Sequence, residues 1–179
     1  PRGLVPPVAG ALTAGFVVSG NASQTVVLRG LGPSLGDAGL PTTLADPVIA
    51  LFDASGQMLV TNDNWATGSN ADQIIADGLA PGDPAEAALR MTLQPGSYTA
   101  VVTGNDNTPG IGLVEVYDLS PAGDSKLANV STRGVVGTET DLPIAGFSAG
   151  ELDSSPDVLR LLRPAPGPAA ICKPLHAPP

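Results

Sequence analysis

The sequence predicts an all-β fold, an antiparallel β-sandwich of the jelly-roll or immunoglobulin-like kind, with one short helix and proline-rich termini. The apolar runs are short and rich in β-branched residues. Glycine, proline, asparagine and aspartate separate these runs, and the chain contains 22 glycines and 19 prolines in 179 residues. Several short strands at such spacing, each bounded by turn signals, are typical of sandwiches and barrels.

The apolar runs predict the strands in order along the chain. A short glycine-containing turn, Ala54-Ser55-Gly56, joins two of them into a hairpin. Apolar and polar residues alternate in Leu89–Leu93, which predicts one buried and one wet face. The predicted strands are Leu12–Ser19, Gln24–Gly30, Val48–Asp53, Gln57–Thr61, Leu89–Leu93, Ser97–Thr103, Gly112–Asp118, Lys126–Ser131 and Leu142–Phe147.

Helical signals are confined to the segment between the fourth and fifth predicted strands. Asn70–Gly78 has a capping asparagine, Gln73 at the third helical position and Gly78 as a stop, which predicts a two-turn helix. Asp83-Pro84-Ala85-Glu86 resembles a helix start, and we expect a single turn there before the next strand.

Composition excludes several classes of function. The formal net charge is −9 with only eight Lys and Arg, which argues against a nucleic-acid or anionic-membrane surface. No apolar run is long enough to span a bilayer. Cys172 is the only cysteine and His176 the only histidine, so a disulfide framework and a cysteine zinc cluster are excluded. We therefore expect no enzyme of the Ser-His-Asp type.

An internal repeat suggests tandem modules. Ala14-Gly15-Phe16 recurs as Ala145-Gly146-Phe147, an offset of 131 residues, and Val27-Leu28-Arg29 recurs as Val158-Leu159-Arg160 at the same offset. Self-similarity at a fixed period is the mark of repeated units, although this period is a whole domain. The chain therefore contains one full unit and the first part of a second.

Three regions follow from the repeat. Residues 1–11 are predicted to be an N-terminal extended segment or linker, 12–148 the sandwich repeat unit, and 149–179 a partial second repeat with a proline-rich tail. Because the chain begins at Pro1 without a methionine, we expect a processed product or a fragment. Two interpretations of the second repeat stay open. It is a boundary or reading-frame effect, or it supplies an inter-subunit strand that another molecule completes, formed by Val158, Leu159, Arg160, Leu161 and Leu162.

Several motifs resemble known extracellular modules. Val26–Leu35, Asp46–Asp53, Asn62-Asp63-Asn64-Trp65 and Asn129–Gly134 together resemble a tandem repeat of large secreted or cell-surface proteins of environmental bacteria. The stretch from Asp46 to Asp118 is also similar to pre-peptidase C-terminal-type β-sandwich modules. This resemblance implies an extracellular or cell-surface setting and a non-catalytic module.

Four oxygen-bearing residues form a candidate calcium site. Asp53, Asn62, Asp63 and Asn64 lie on one predicted hairpin and in the loop after it. Calcium prefers six to eight oxygen ligands, which Asp, Asn and loop carbonyls supply. The alternative is that these residues stabilise turns through side-chain hydrogen bonds to the backbone.

Four other features are candidates for functional sites or for a structural role. Trp65, the only tryptophan, either stacks on a sugar ligand or packs on the core. Asn21 and Asn129 begin glycosylation sequons. The Gly30-Leu31-Gly32 element lacks the third glycine of a dinucleotide fingerprint. Arg29, Arg133 and Arg160 are each expected to form a structural ion pair with an acidic residue, and Glu115 is one candidate partner.

These observations favour a non-catalytic extracellular structural protein. We expect a subunit of a surface fibre or filament, in which copies of the chain join head to tail by strand exchange. The alternative is an adhesin or carbohydrate-binding module, with glycans as partners and calcium as a possible cofactor.

Overall fold

The computed structural model describes residues 2–5, 10–120 and 125–133. The chain divides into two compact units, 1–146 and 147–179, and the second lies outside the described residues. The predicted strand Leu142–Phe147 and the proposed inter-subunit strand Val158–Leu162 also lie outside them.

Nine strands and two short helices make up the described part. The strands are β1 (Arg2–Val5), β2 (Leu12–Ser19), β3 (Gln24–Leu31), β4 (Pro47–Phe52), β5 (Met58–Asn62), β6 (Ala87–Leu93), β7 (Gly96–Gly104), β8 (Gly110–Asp118) and β9 (Lys126–Arg133). The helices are α1 (Pro33–Asp37) and α2 (Ala71–Ala76), and 3-10 turns occur at Trp65–Thr67 and Asn105–Asn107.

The strands form two antiparallel sheets, which confirms the predicted all-β sandwich. Sheet A has the order β1-β8-β3-β6, and sheet B has the order β5-β4-β7-β2-β9. Without β9, the two orders read 1-8-3-6 and 2-7-4-5, in which every successive pair of strands except the β4–β5 hairpin passes between the sheets, as in a jelly roll. The fold is therefore the jelly-roll form of the predicted sandwich, with β9 added beside β2.

The sequence pattern located the strands well but missed two elements. Every predicted strand within the described residues forms, with ends that differ by at most two residues. The predicted helix at Asn70–Gly78 forms as α2, and Gly78 ends it with φ +72°. Two elements were not predicted, α1 and β1, and β1 lies inside residues 1–11, which were expected to be an extended segment or a linker.

Alternation along the strands builds the core between the sheets. In β2, the residues Leu12, Ala14, Phe16 and Val18 are all buried, while their neighbours are half-buried. Phe16 lies opposite Tyr98 on β7, and their rings stack with centroids 5.6 Å apart. Each fully buried side chain of this kind stabilises the fold by roughly 1.5–3 kcal/mol, so the core carries most of the stability.

Glycines allow the β3–β4 connection to pack directly on β8. Leu44 in this connection is fully buried, and its backbone N–H donates to the carbonyl of Ile111 at 2.9 Å. A Cβ added to Gly110 would lie 2.4 Å from the Leu44 nitrogen, and one added to Gly32 would lie 2.0 Å from the Leu44 oxygen. Only glycine permits this approach, so these two positions fix the path of the chain.

The close approach at Gly110 predicts a large effect of adding one methyl group. We expect Gly110→Ala to lower the free energy of unfolding by about 1–3 kcal/mol, because the Leu44 backbone must move. Gly82→Ala is the matched control, since its Cβ would meet only Ser34 at 3.6 Å. Denaturant unfolding measures both, and equal stability of the two variants would contradict this packing.

Candidate interaction site at the sheet edges

The β1–β8 pair forms one edge of sheet A. β1 is antiparallel to β8, with Arg2 opposite Leu113 and Val5 opposite Gly110. β8 extends beyond β1 as far as Asp118. On the side of β8 that faces away from β1, β3 pairs with it up to Asp118. Among the described residues, no strand pairs with the outer side of Val114–Asp118. An edge of this kind presents unpaired backbone groups that template the addition of another strand.

The opposite edge of sheet A, at β6, is closed by side chains. Asn62 Oδ1 accepts from the Ala88 N–H at 3.0 Å, and Asn70 Nδ2 donates to the Arg90 carbonyl at 2.8 Å. Arg90 Nε also donates to Asp77 Oδ2 at 2.7 Å, which ties β6 to the end of α2. Two backbone groups of the β6 edge, the Ala88 N–H and the Arg90 carbonyl, are therefore satisfied by side chains within the fold.

Sheet B exposes an apolar edge at β5. Met58 is 54% exposed and Leu59 is 40% exposed. The strand Met58–Asn62 contains no proline and no charged residue, which are the devices that usually protect edges from pairing. β5 is therefore a second surface for association, distinct from the β1–β8 edge.

The glycine-rich element after β3 binds an internal carboxylate. Glu86 is fully buried, and its Oε1 accepts from the Gly32 N–H at 2.9 Å and from the Ser34 N–H at 3.1 Å. The Ser34 hydroxyl donates to the same oxygen at 2.6 Å. The backbone N–H groups of this element thus donate hydrogen bonds to the Glu86 carboxylate. Sequence reasoning missed Glu86 because it lies in a segment that resembles a helix start.

Trp65 is engaged within the fold. Its indole N–H donates to the Asp83 carbonyl at 3.0 Å, and its backbone N–H donates to the Glu86 carbonyl at 2.9 Å. The half-buried side chain borders a groove of about 360 Å³ between β5 and β6, into which Ile74 of α2 also projects. Trp65 anchors the β5–β6 connection, and its indole N–H is already hydrogen-bonded within the fold.

The four predicted calcium ligands are not brought together. Asp53 follows β4 at the hairpin turn, whereas Asn62 lies opposite Ile49 at the other end of the hairpin. Four residues along a strand place them about 13 Å apart, which is too far for one ion. Among the described residues, no three His, Cys, Asp or Glu side chains cluster as metal ligands.

Each of the four candidates has its own place in the fold. The Asp53 carboxylate accepts from the Ser55 hydroxyl at 2.6 Å and from the N–H groups of Ser55 and Gln57 at 2.8 and 3.0 Å. Asn62 Nδ2 donates to the Asn64 carbonyl at 3.2 Å, and Asp63 is exposed. These contacts agree with the turn-stabilising alternative for Asp53 and with edge closure for Asn62.

Glu115 forms an ion pair with Arg29, one of the three arginines for which the sequence predicts such a pair. The two residues lie opposite each other on β3 and β8, and two guanidinium nitrogens donate to Glu115 Oε2 at 2.8 and 2.5 Å. Arg29 also donates to the Tyr117 hydroxyl at 2.8 Å. Burial and the neighbouring Glu115 charge raise the pKa of Tyr117. This group covers the outer face of sheet A and stabilises the pairing of β3 with β8.

The two sequon asparagines lie at different kinds of position. Asn21 is exposed in the turn between β2 and β3. Asn129 lies within β9, opposite Val17 of β2. Glycosylation at either residue stays a prediction.

Comparison of the chain with family models, curated proteins and solved structures found no match. The resemblance to bacterial tandem-repeat modules and to pre-peptidase C-terminal-type modules therefore stays a prediction. No described helix has the length and apolar character needed to cross a membrane.

Removing the Glu86 carboxylate tests its structural role. We expect Glu86→Ala to lower the free energy of unfolding by about 3 kcal/mol or more, because it leaves the buried Gly32 donor and the half-buried Ser34 donors without an acceptor. Asp37→Ala, at an exposed position, is the control and should change it by less than about 0.5 kcal/mol. Similar losses for both variants in denaturant unfolding would refute this role.

The Asp53 turn makes a prediction about protonation. Hydrogen bonds from Ser55, with a further contribution from Gln57, hold the pKa of the Asp53 carboxyl below its ordinary value. The hydrogen bonds favour folding above the ordinary pKa, and this contribution is lost as pH falls through the lowered folded-state pKa. Ser55→Ala should raise the pKa of Asp53 in a carboxyl NMR titration, whereas Ser69→Ala should not. An unchanged pKa in Ser55→Ala would contradict the assignment.

Proposed function

We propose that the chain is a non-catalytic extracellular structural protein, a subunit of a surface fibre in which neighbours join by strand exchange. The observation that carries this proposal is the β1–β8 edge. A four-residue segment near the N-terminus adds as a strand to part of a nine-residue edge strand. The same geometry, with the strand supplied by a neighbour, gives a main-chain-bonded contact between subunits.

The contrast between the edges of sheet A supports this choice. Asparagine side chains close the β6 edge, so an incoming strand finds fewer free backbone groups there. The β8 edge is closed over part of its length, by a strand and not by side chains. A contact between this edge and a different part of the neighbour is heterologous, and a heterologous contact that does not close produces a filament.

The adhesin or carbohydrate-binding alternative has less support. Trp65 already donates its indole N–H within the fold, and Asp53 and Asn62 lie too far apart to share an ion. The extracellular setting in the proposal comes from the resemblance to secreted modules.

Microscopy and sedimentation test the fibre directly. We expect the purified chain to form regular fibres at high concentration in negative stain, and to sediment as growing oligomers. Since the four calcium candidates do not converge, chelator should leave these fibres unchanged. A chain that stays monomeric at every concentration, with and without chelator, would refute the proposal.

A matched pair of variants separates strand exchange at β8 from association through β5. Leu59→Lys places a charge on the exposed β5 edge, and Ala54→Lys places the same charge in the adjacent turn. Fibres should persist in both variants. Loss of fibres in Leu59→Lys alone would show that assembly uses the β5 edge, which contradicts the proposed exchange.

A further inference from the structure

The chain contains two copies of the β1 sequence. β1 is Arg2-Gly3-Leu4-Val5, and residues 133–136 read Arg133-Gly134-Val135-Val136. The two segments are 131 residues apart, which is the offset already set by Ala14-Gly15-Phe16 and its second copy. Three of the four residues are identical, and the fourth is leucine in one and valine in the other. The internal repeat therefore begins at β1 and not at β2.

The position of the second copy joins two elements. Arg133 is the last residue of β9, where it lies opposite Thr13 of β2. The same Arg133 corresponds to Arg2, the first residue of β1. The strand that ends one repeat unit thus runs directly into the sequence that begins the next, without an intervening linker.

In the described part of the sandwich, Arg2–Val5 hold the place of this sequence, beside β8. In that place, Gly3 lies opposite Gly112 and Leu4 lies opposite Ile111 of β8. Residues 133–136 carry the same glycine at the second position and a β-branched residue, suited to strands, at the third. A second β1 sequence in the same chain therefore fits the β8 edge of another sandwich.

We propose that residues 133–136 of one copy of the chain add to the β8 edge of a second copy, in the place that Arg2–Val5 hold in this structure. This inference rests on the proposed function and names its donor and its acceptor. It replaces Val158–Leu162 as the exchanged strand. Val158-Leu159-Arg160 corresponds to Val27-Leu28-Arg29 of β3, which lies between β8 and β6 and is not an edge strand.

Exchange competes with the chain's own β1. Arg2–Val5 belong to the same chain as their acceptor, and tethered segments have effective concentrations of the order of millimolar. Separate copies therefore exchange strands only at high concentration, or when their own β1 is weakened. Weakening β1 should therefore lower the concentration at which copies associate, and this shift can be measured.

Two pairs of cysteine substitutions test the register, both in Cys172→Ser chains. Arg2→Cys with Leu113→Cys should form a disulfide within one chain, because these residues are directly opposite. Arg133→Cys with Leu113→Cys should form covalent dimers and longer ladders under mild oxidation at high concentration. Thr138→Cys with Leu113→Cys is the out-of-register control. If the Arg133 pair forms no more ladder than this control while the Arg2 pair closes, the proposal is wrong.

Paired proline substitutions test the same site without disulfides. Successive backbone N–H groups of a strand alternate in direction, so Gly3→Pro with Leu4→Pro removes the one that faces β8. This variant should associate at a concentration at least tenfold lower than the unmodified chain. Adding Gly134→Pro with Val135→Pro to the same chain should abolish that association in sedimentation. Equal association with and without the donor prolines would overturn the proposal.

The outcomes separate this inference from the fibre itself. Fibres in microscopy without the Arg133–Leu113 disulfide ladder would support the proposed fibre and refute residues 133–136 as the donor strand. A ladder without regular fibres would support the proposed donor and acceptor strands and refute the fibre.

Discussion

Two packed sheets have four edge strands, and each edge carries backbone donors and acceptors that need partners or water. Among the described residues, the four edges are β1, β6, β5 and β9. The two edges of sheet A are covered in different ways. Side chains of Asn62 and Asn70 bond to the Ala88 N–H and the Arg90 carbonyl of β6, whereas a four-residue strand covers part of β8. Asn62 ends β5, and the β5–β6 connection carries Asn70, α2 and Trp65.

Glu86 links that closure to the core. Its carboxylate holds the turn between β3 and α1, and its backbone carbonyl accepts from the N–H of Trp65. One buried acidic residue therefore positions both the glycine-rich element and the connection that closes the β6 edge. A buried carboxylate is stable only when donors surround it, and the Gly32 and Ser34 groups provide them. The motif that resembles a phosphate loop is explained by this internal anion.

The sequence was most informative where local pattern decides structure. The strand Leu12–Ser19, the turn at Ala54-Ser55-Gly56 and the glycine stop of α2 depend on signals within a few residues, and each was predicted. An ion pair between a strand arginine and Glu115 was also predicted, because cations are few in this chain, and Arg29 is the partner. β1 was missed because four residues near a proline-rich end carry little pattern, and their partner β8 lies more than 100 residues later.

The candidate site was harder to predict than the fold. Asp53 and Asn62 seemed to belong together because a hairpin brings its two strands side by side, but the register separates them along the strand. Asn62 and Asn70 close an edge that exists only once both sheets have formed, and Glu86 finds its donors more than 50 residues earlier in the chain. Long-range pairing of this kind leaves no periodic signal. Only the repeat of the β1 sequence, which the chain carries twice, marks the β8 edge from the sequence side.

The proposed assembly requires β1 to be an exchangeable strand held by one edge of the sandwich. Native-state amide hydrogen exchange of the unmodified chain at low concentration measures this most directly. We expect the β1 amides bonded to β8 to exchange through local opening, with protection far below that of Ala100 and Val102 in the central strand β7. Protection of β1 equal to that of β7, lost only on global unfolding, would show that β1 is not exchangeable.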